Sequence, residues 1–419
     1  MRPSRIAAGR RGRTLSPRTV PPELLSELIV ENDQRIILLV IDGLGGLPSP
    51  TTGLTELETA RTPHLDALAA RSTCGLSEPV GAGITPGSGP GHLALFGYDP
   101  IASLVGRGIL SALGIDFPLE ASDVAARINF ATLDDRGNVS DRRAGRISTE
   151  ENRRLVDRLR LVQVPGLEVF LETESEHRAM AVFRAEGLSD HLGDTDPQQT
   201  GVPAHRITAI DGGAEATARL LNHWVAVVHE ALRDERPANG LLLRGFARRP
   251  ALPTFQERYG LTAASIAIYP MYRGMSRLVG MSVLDSGPTL PAQIEVARRS
   301  WSEFTYFYIH VKAPDAAGED GDFERRVHLF ESIDSTIPAL LDLGADCLMI
   351  TGDHSTPAVL RQHSWHPVPF LLHARHAFAD RCQAFGERAC TEGSLGTFPA
   401  QAAMQLALAA TGKLAKYGA

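Results

Sequence analysis

The chain has 419 residues, 43% of them hydrophobic and 22% charged, with 39 glycines and 27 prolines. That is enough chain to bury a sizeable core without staples, in the composition of a soluble, loop-containing globular protein rather than a disordered, collagenous or membrane one. The net charge of -7 hides an asymmetry: six arginines and no acid stand in residues 1–22, leaving 36 basic against 49 acidic residues elsewhere, a balance that excludes a general nucleic-acid binder.

The Arg-rich leader over 1–33 has no apolar stretch of the secretory kind, and it reads as a disordered tail with the mature chain in the cytoplasm. Arg35 to Ile41 (RIILLVI), the longest strongly apolar run and far short of a membrane span, is a buried parallel strand ending at Asp42-Gly43. Thr62-Pro63 opens a helix with Leu65, Leu68 and Ala69 on one stripe. The same alternation returns late in the chain: strand 304–311, helix 322–342, strand 346–350 and strand 368–372.

Between these blocks lies a stretch of different texture, 116–285. It has strand-like runs at 124–130, 168–171, 179–183 and 240–243 and an amphipathic helix over 214–232. The expected architecture is α/β, with a core formed by 34–115 and 286–419 and a second unit, 116–285, inserted into it. Cys74, Cys347, Cys382 and Cys390 are scattered, form no CxxC pair, and read as reduced thiols with no thiolate zinc site.

Polar residues gather just after strands, where open α/β sheets bind ligands: Asp42, Asp315, Asp353-His354, and His363 in the loop beyond. One such aspartate is commonly a turn residue; several at equivalent strand ends, with Glu319 four residues after Asp315, suit a divalent cation. Ser88 sits in a loop with five glycines in eleven residues, ahead of a short helix over 91–96, where a phosphorylated hydroxyl would meet backbone N–H groups. Arg107, Arg142, Arg143 and Arg146, with His177-Arg178, offer planar forks for phosphate or carboxylate oxygens. Lys312 is one of only three lysines and lies three residues from Asp315.

Taken together, IDGLGG (41–46), RTPHLDALA (61–69), TPGSGPGHLALFGYDP (85–100), GRG (106–108), RINFAT (127–132), DRRAGR (141–146), DTDP (194–197), YRGMSRLVGM (272–281), HVKAPDAAGEDGD (310–322) and TGDHSTP followed by HSWHPVP resemble the archaeal-type cofactor-independent (2,3-bisphosphoglycerate-independent) phosphoglycerate mutases. The resemblance covers about residues 35–372. It implies an alkaline-phosphatase-like three-layer core with an inserted α/β substrate-binding domain, two divalent cations and a phosphoserine intermediate. It places Asp42, Ser88, Asp353 and His354 at one cation, with Ser88 also the nucleophile, and Asp315 and His363 at the other.

The chain departs from the family pattern at Glu319, where a His is usual, and at Gly89, Gln198 and Ala313-Pro314. The oxygen ligand favours manganese or magnesium over zinc. The implied reaction interconverts 3- and 2-phosphoglycerate, a small phosphorylated substrate. Lys312 would stabilise the phosphoryl group, Arg107, Arg142, Arg143, Arg146, His177 and Arg178 would hold the glycerate, and His92 or Asp141 would serve as general base. A metal-dependent phosphatase, a phosphonate hydrolase or a related phosphotransferase would use the same serine and metals. Partners in nucleic acid or membrane are not expected, and the oligomeric state is left open.

Overall fold

Strand β1 (Ile36–Ile41) is buried along its whole length, as a continuous apolar run requires in the middle of a parallel sheet. The computed structural model describes residues 19–103 and 105–418. After β1 come β2 (Thr73–Glu78), β3 (Val124–Leu133), β4 (Val139–Asp141), β5 (Glu168–Ser175), β6 (Arg178–Arg184), β7 (Gly240–Ala247) and β8 (Ala263–Ile266). β9 (Ser282–Val283), β10 (Tyr306–Val311), β11 (Cys347–Thr351), β12 (Val368–Ala374) and β13 (Thr397–Pro399) follow.

Eight of these form the large sheet in the order β13-β2-β12-β11-β1-β10-β8-β9. β1 is parallel to both neighbours, with Ile36 opposite Tyr306 and Cys347, so Asp42, Lys312 and Asp353 emerge from adjacent carboxyl ends. The pleat sorts the side chains. Ile36, Leu38 and Val40 pack with helices Ser88–Leu95, Pro270–Leu278 and Ala403–Ala410. Ile37, Leu39 and Ile41 pack with helices Pro63–Ala69, Leu290–Arg299 and Phe323–Asp334. The sheet is thus the middle of three layers.

The second sheet is antiparallel, with β3 between β6 and β7, β5 outside β6, and β4 on the far end of β3. Helices Thr149–Leu159 and Glu215–Leu232 cover one face, where Leu155 and Trp224 are buried. Helix Arg107–Gly114 covers the other and also crosses helix Pro270–Leu278, joining the two sheets. Glycine is required at both crossings: a Cβ on Gly108 would stand 2.5 Å from the Ala125 carbonyl, and one on Gly274 2.4 Å from the Leu110 oxygen.

Several expectations need correction. The inserted unit does not run to 285, because β8 pairs with β10 and β9 with β8, so the large sheet resumes at residue 263. Four residues, AASI, carry too little pattern to announce that strand. The leader is not disordered throughout 1–33. Pro22–Glu27 is a helix whose Leu25 enters the core, Ile29 bridges Leu414, and the Val30 N–H donates to the Lys413 carbonyl at 2.9 Å; residues 1–18 lie outside the described residues.

The helix expected over 322–342 breaks after Asp334 and restarts at Ile337, with Pro338 in its first turn. Ala313–Asp320 is a helix that Pro314 and Gly318 concealed in the sequence. Cys74, Cys382 and Cys390, far apart in sequence, belong to one buried cluster.

Candidate active site

Burial and charge at the strand ends define the first half of the site. Asp42, Asp353 and His354 have no solvent exposure. His354 Nε2 lies 3.4 Å from Asp42 Oδ1 and 3.2 Å from Asp353 Oδ2, and 3.1 Å from the Ser88 hydroxyl. Burial alone would raise the Asp42 carboxyl, but His310 at 3.3 Å, Lys312 at 3.1 Å and His354 outweigh it and hold it well below the usual range. Asp353 is lowered too: burial and the Asp42 charge oppose ionisation, and His354 and His92 overcome them. Asp42 Oδ1 and Asp353 Oδ2 nevertheless accept no hydrogen bond. Buried carboxylate oxygens left this way are costly unless a cation meets them, so the donor set fits a divalent ion.

A second group adjoins the first. Ligand atoms of Asp315, His354 and His363 lie within 4.8 Å of one another, and the His354 and His363 rings stack at 3.7 Å. Thr356 links Asp315 to His354, its hydroxyl 2.7 Å from Asp315 Oδ1 and 3.0 Å from His354 Nδ1. Helix Ala313–Asp320 puts Asp315 and Glu319 one turn apart on one face. Glu319 reaches to 3.8 Å from His363 Nε2 while 57% of its side chain stays exposed. Lys312 lies 2.5 Å from Asp315 Oδ2, and its ammonium is raised because Asp42 and Asp315 outweigh its desolvation.

Ser88 is the first residue of helix Ser88–Leu95, which starts three residues earlier than the sequence indicates. The helix rests on the Asp353 turn, where a Cβ on Gly91 would stand 2.2 Å from the Asp353 oxygen; only glycine allows the approach. Ser88 thereby faces a cavity of about 460 Å³ whose wall also carries Lys312, Asp315, Glu319 and His363. Arg107 of the helix that joins the two sheets, and Arg127 and Glu174 of the second unit, line the same cavity.

Arg107 and Arg127 also line a smaller cavity of about 130 Å³, together with Asn129, Arg142, Arg143, His177, Arg178 and Arg244. Arg142 is held by Asp196 through two bonds of 2.8 Å, and Arg244 lies 3.4 Å from the same carboxylate. Arg127 has Glu174 at 3.6 Å, yet its burial lowers the guanidinium from its ordinary value. Burial and the neighbouring Arg178 push His177 down to about 4, so it is neutral at neutral pH.

The structure brings most of the expected residues together and separates three. Arg146 is exposed and lines neither cavity. His92 is fully buried, with Nδ1 2.8 Å from the Ser88 carbonyl oxygen and 3.2 Å from Asp353 Oδ2. Asp141 accepts the Arg143 and Gly145 N–H groups at 2.8 and 2.6 Å. Neither reaches a cavity wall, so both read as positioning residues rather than bases that touch substrate.

Sequence reasoning missed Arg127, Asn129 and Arg244. The available signal was a polar side chain at an inward position of an otherwise apolar strand. It also missed Tyr272, whose hydroxyl donates to Asp42 and accepts from Lys312 Nζ at 3.3 Å, as well as His310 and Thr356. Gln198, one of the departures, adopts φ of 58° and donates its N–H to Asp196 at 2.9 Å, bracing the Arg142 partner.

Comparison with known proteins agrees with this geometry. The family model for 2,3-bisphosphoglycerate-independent phosphoglycerate mutase matches residues 69–239. A probable mutase of that kind from Thermus thermophilus is 51% identical over 401 residues, covering 94% of this chain and 99% of its own. One from Aquifex aeolicus is 46% identical, covering 95% and 100%. Among solved structures, a Pyrococcus horikoshii protein superimposes with a TM-score of 0.80 at 28% identity, over 92% of this chain and 99% of that one. The cofactor-independent phosphoglycerate mutase of Thermoplasma acidophilum does so at 0.69 with 29% identity, over 90% and 100%.

Proposed function

Since the chain belongs to the 2,3-bisphosphoglycerate-independent phosphoglycerate mutases, a family of isomerases, we propose that it interconverts 3- and 2-phosphoglycerate through a phosphoserine at Ser88. The observation that carries this reading is the shared cavity, which Ser88 and Lys312 line together with Arg107 and Arg127. Asp42, Ser88, Asp353 and His354 would hold one divalent cation, and Asp315, Glu319 and His363 a second. Their oxygen-rich donors favour manganese or magnesium over zinc. Bound there, such cations supply positive charge that lowers the hydroxyl pKa and screens phosphoryl oxygens.

The side chains account for the rest. Ser88 Oγ forms the bond to phosphorus as the bond from phosphorus to the glycerate oxygen breaks, and the glycerate oxygen leaves as a hydroxyl by gaining the proton that Ser88, 3.1 Å from His354, gives up. Lys312, charged across the neutral range, faces the transferring oxygens. Tyr272 donates to the same Asp42 oxygen that Lys312 approaches and helps hold that carboxylate in place. The released glycerate keeps its carboxylate on the arginine forks and turns, so that its other hydroxyl takes the phosphoryl group back from Ser88.

Water must be kept from the phosphoserine, since its attack would release phosphate and make the enzyme a phosphatase. The test supplies 3-phosphoglycerate and manganese, couples product to enolase, and follows phosphate release in parallel. Formation of 2-phosphoglycerate without phosphate supports the proposal. Phosphate release alone would establish the hydrolase, and neither product would overturn both.

A further inference from the structure

Three of the four cysteines meet at the edge of the large sheet remote from β10, away from the residues that line the candidate active site. Cys74 lies on β2, Cys382 in the loop after β12, and Cys390 on helix Glu387–Thr391. All three are buried, at no more than 1% exposure, and belong to one core cluster. A carboxylate joins them: the ligand atoms of Cys74, Asp380 and Cys382 lie within 4.8 Å of one another. Asp380 also accepts the Cys74 N–H at 2.8 Å and the Cys382 N–H at 3.0 Å, which fixes the two segments that bring the sulfurs in. The Ser394 N–H adds a third bond at 2.8 Å, tying in the segment beyond Cys390.

We propose that Cys74, Asp380 and Cys382, with Cys390 of the same buried cluster as the fourth donor, form a thiolate site for a borderline-soft divalent cation of the zinc type. Zinc–sulfur bonds of about 2.3 Å in a tetrahedron put sulfurs about 3.8 Å apart, a spacing within the 4.8 Å inside which the ligand atoms of Cys74, Asp380 and Cys382 already lie. Binding releases the thiol protons to solvent and leaves the sulfurs as ligands; no redox step is involved. The donors differ in kind from those around Ser88, where carboxylate and imidazole serve harder ions, so the two sites sort metals by ligand softness. Its role is structural. It clamps β2 to the loop after β12 and the helix that follows, Cys74 standing more than 300 positions before the other three ligands.

Cobalt(II) tests this on the full chain, because a thiolate-to-cobalt charge-transfer band in the near ultraviolet reports sulfur ligation and is silent to the carboxylate and imidazole site. The expected result is one band-forming equivalent per chain. It should fall to baseline in Cys382→Ser and Cys390→Ser and persist in Cys347→Ser, with mutase activity in manganese retained throughout. X-ray absorption of the zinc-loaded wild type keeps the test decisive should a variant fail to fold: a shell of three sulfurs is expected. The proposal is overturned by no band and no sulfur shell, by a band that survives both substitutions, or by peptide mapping that finds a disulfide among the three in the protein as isolated. None of these outcomes depends on the mutase assay, so the two readings fail separately.

Discussion

The strand-end cluster around Ser88 and the guanidinium cavity of the inserted unit are both strongly charged, but their imbalances are opposite. At the strand ends, carboxylates and imidazoles crowd together out of solvent, and two carboxylate oxygens are left without donors. In the second cavity, Arg127, Arg143 and Arg178 of the inserted unit converge with Arg107 of the joining helix with few acids between them, and Asp196 is already committed to Arg142 and Arg244. The first region lacks positive charge and the second lacks negative charge. On the proposed reading a divalent cation would complete one, and an anionic substrate would complete the other and bridge them. The lesson is that neither half is a site alone: the chemistry needs helix Arg107–Gly114 to hold the two at a fixed spacing.

The largest effect should come from removing the cation. Chelation should abolish turnover and manganese should restore it, checked by the enolase-coupled rate in stripped and reloaded protein. Full activity in chelator would leave the paired carboxylates unexplained. Next comes the anionic side. Arg127→Lys keeps the charge but loses the planar fork, so kcat/KM should fall by about 10²-fold with the melting temperature unchanged. A loss confined to stability would place Arg127 outside the binding surface.

The spacer between the regions is sensitive as well. Gly108→Ala would drive a methyl group into the β3 backbone at Ala125, at a cost of about 1–3 kcal/mol in denaturant unfolding. An unchanged midpoint would mean that the crossing is looser than drawn.

At neutral pH the smallest effect is a titration, and it separates the two regions as pH falls. His177 is held at about 4 against an ordinary 6.5, so below 6.5 the unfolded chain takes up a proton that the folded chain refuses. Its contribution therefore lowers stability as pH falls from 6.5 to about 4, by at most about 1.4 kcal/mol per pH unit. His177→Asn should flatten that acid limb relative to the wild type while changing little above pH 7. An unchanged slope would show that His177 charges freely.

Much of the strand-end region was legible in the sequence. A run such as Ile36–Ile41 can only be a buried strand, and an aspartate directly after it must face the carboxyl edge. Ser88 was visible through its glycines, although their reason, the contact of Gly91 with the Asp353 turn, is tertiary. The inserted unit was harder to read. Arg127 and Arg244 are single charges on apolar strands, and only the pairing of β3 with β7 makes them neighbours. Tyr272 sits on a helix assigned to the wrong unit because the four-residue β8 carried no periodic signal. The cysteine cluster was invisible because spacing rules detect ligands close in sequence, while Cys74 and Cys382 meet only through the antiparallel pairing of β2 with β12 and the loop that follows.

The central claim is that Ser88 carries the phosphoryl group between the two hydroxyls. Acid quenching of the manganese-loaded enzyme during turnover of 3-phosphoglycerate, followed by peptide mass mapping, tests it most directly. The account predicts a phosphopeptide containing Ser88 that forms and decays at least as fast as turnover, and that is missing, together with activity, in Ser88→Ala. Turnover without a phosphorylated Ser88, or an active Ser88→Ala enzyme, would contradict it.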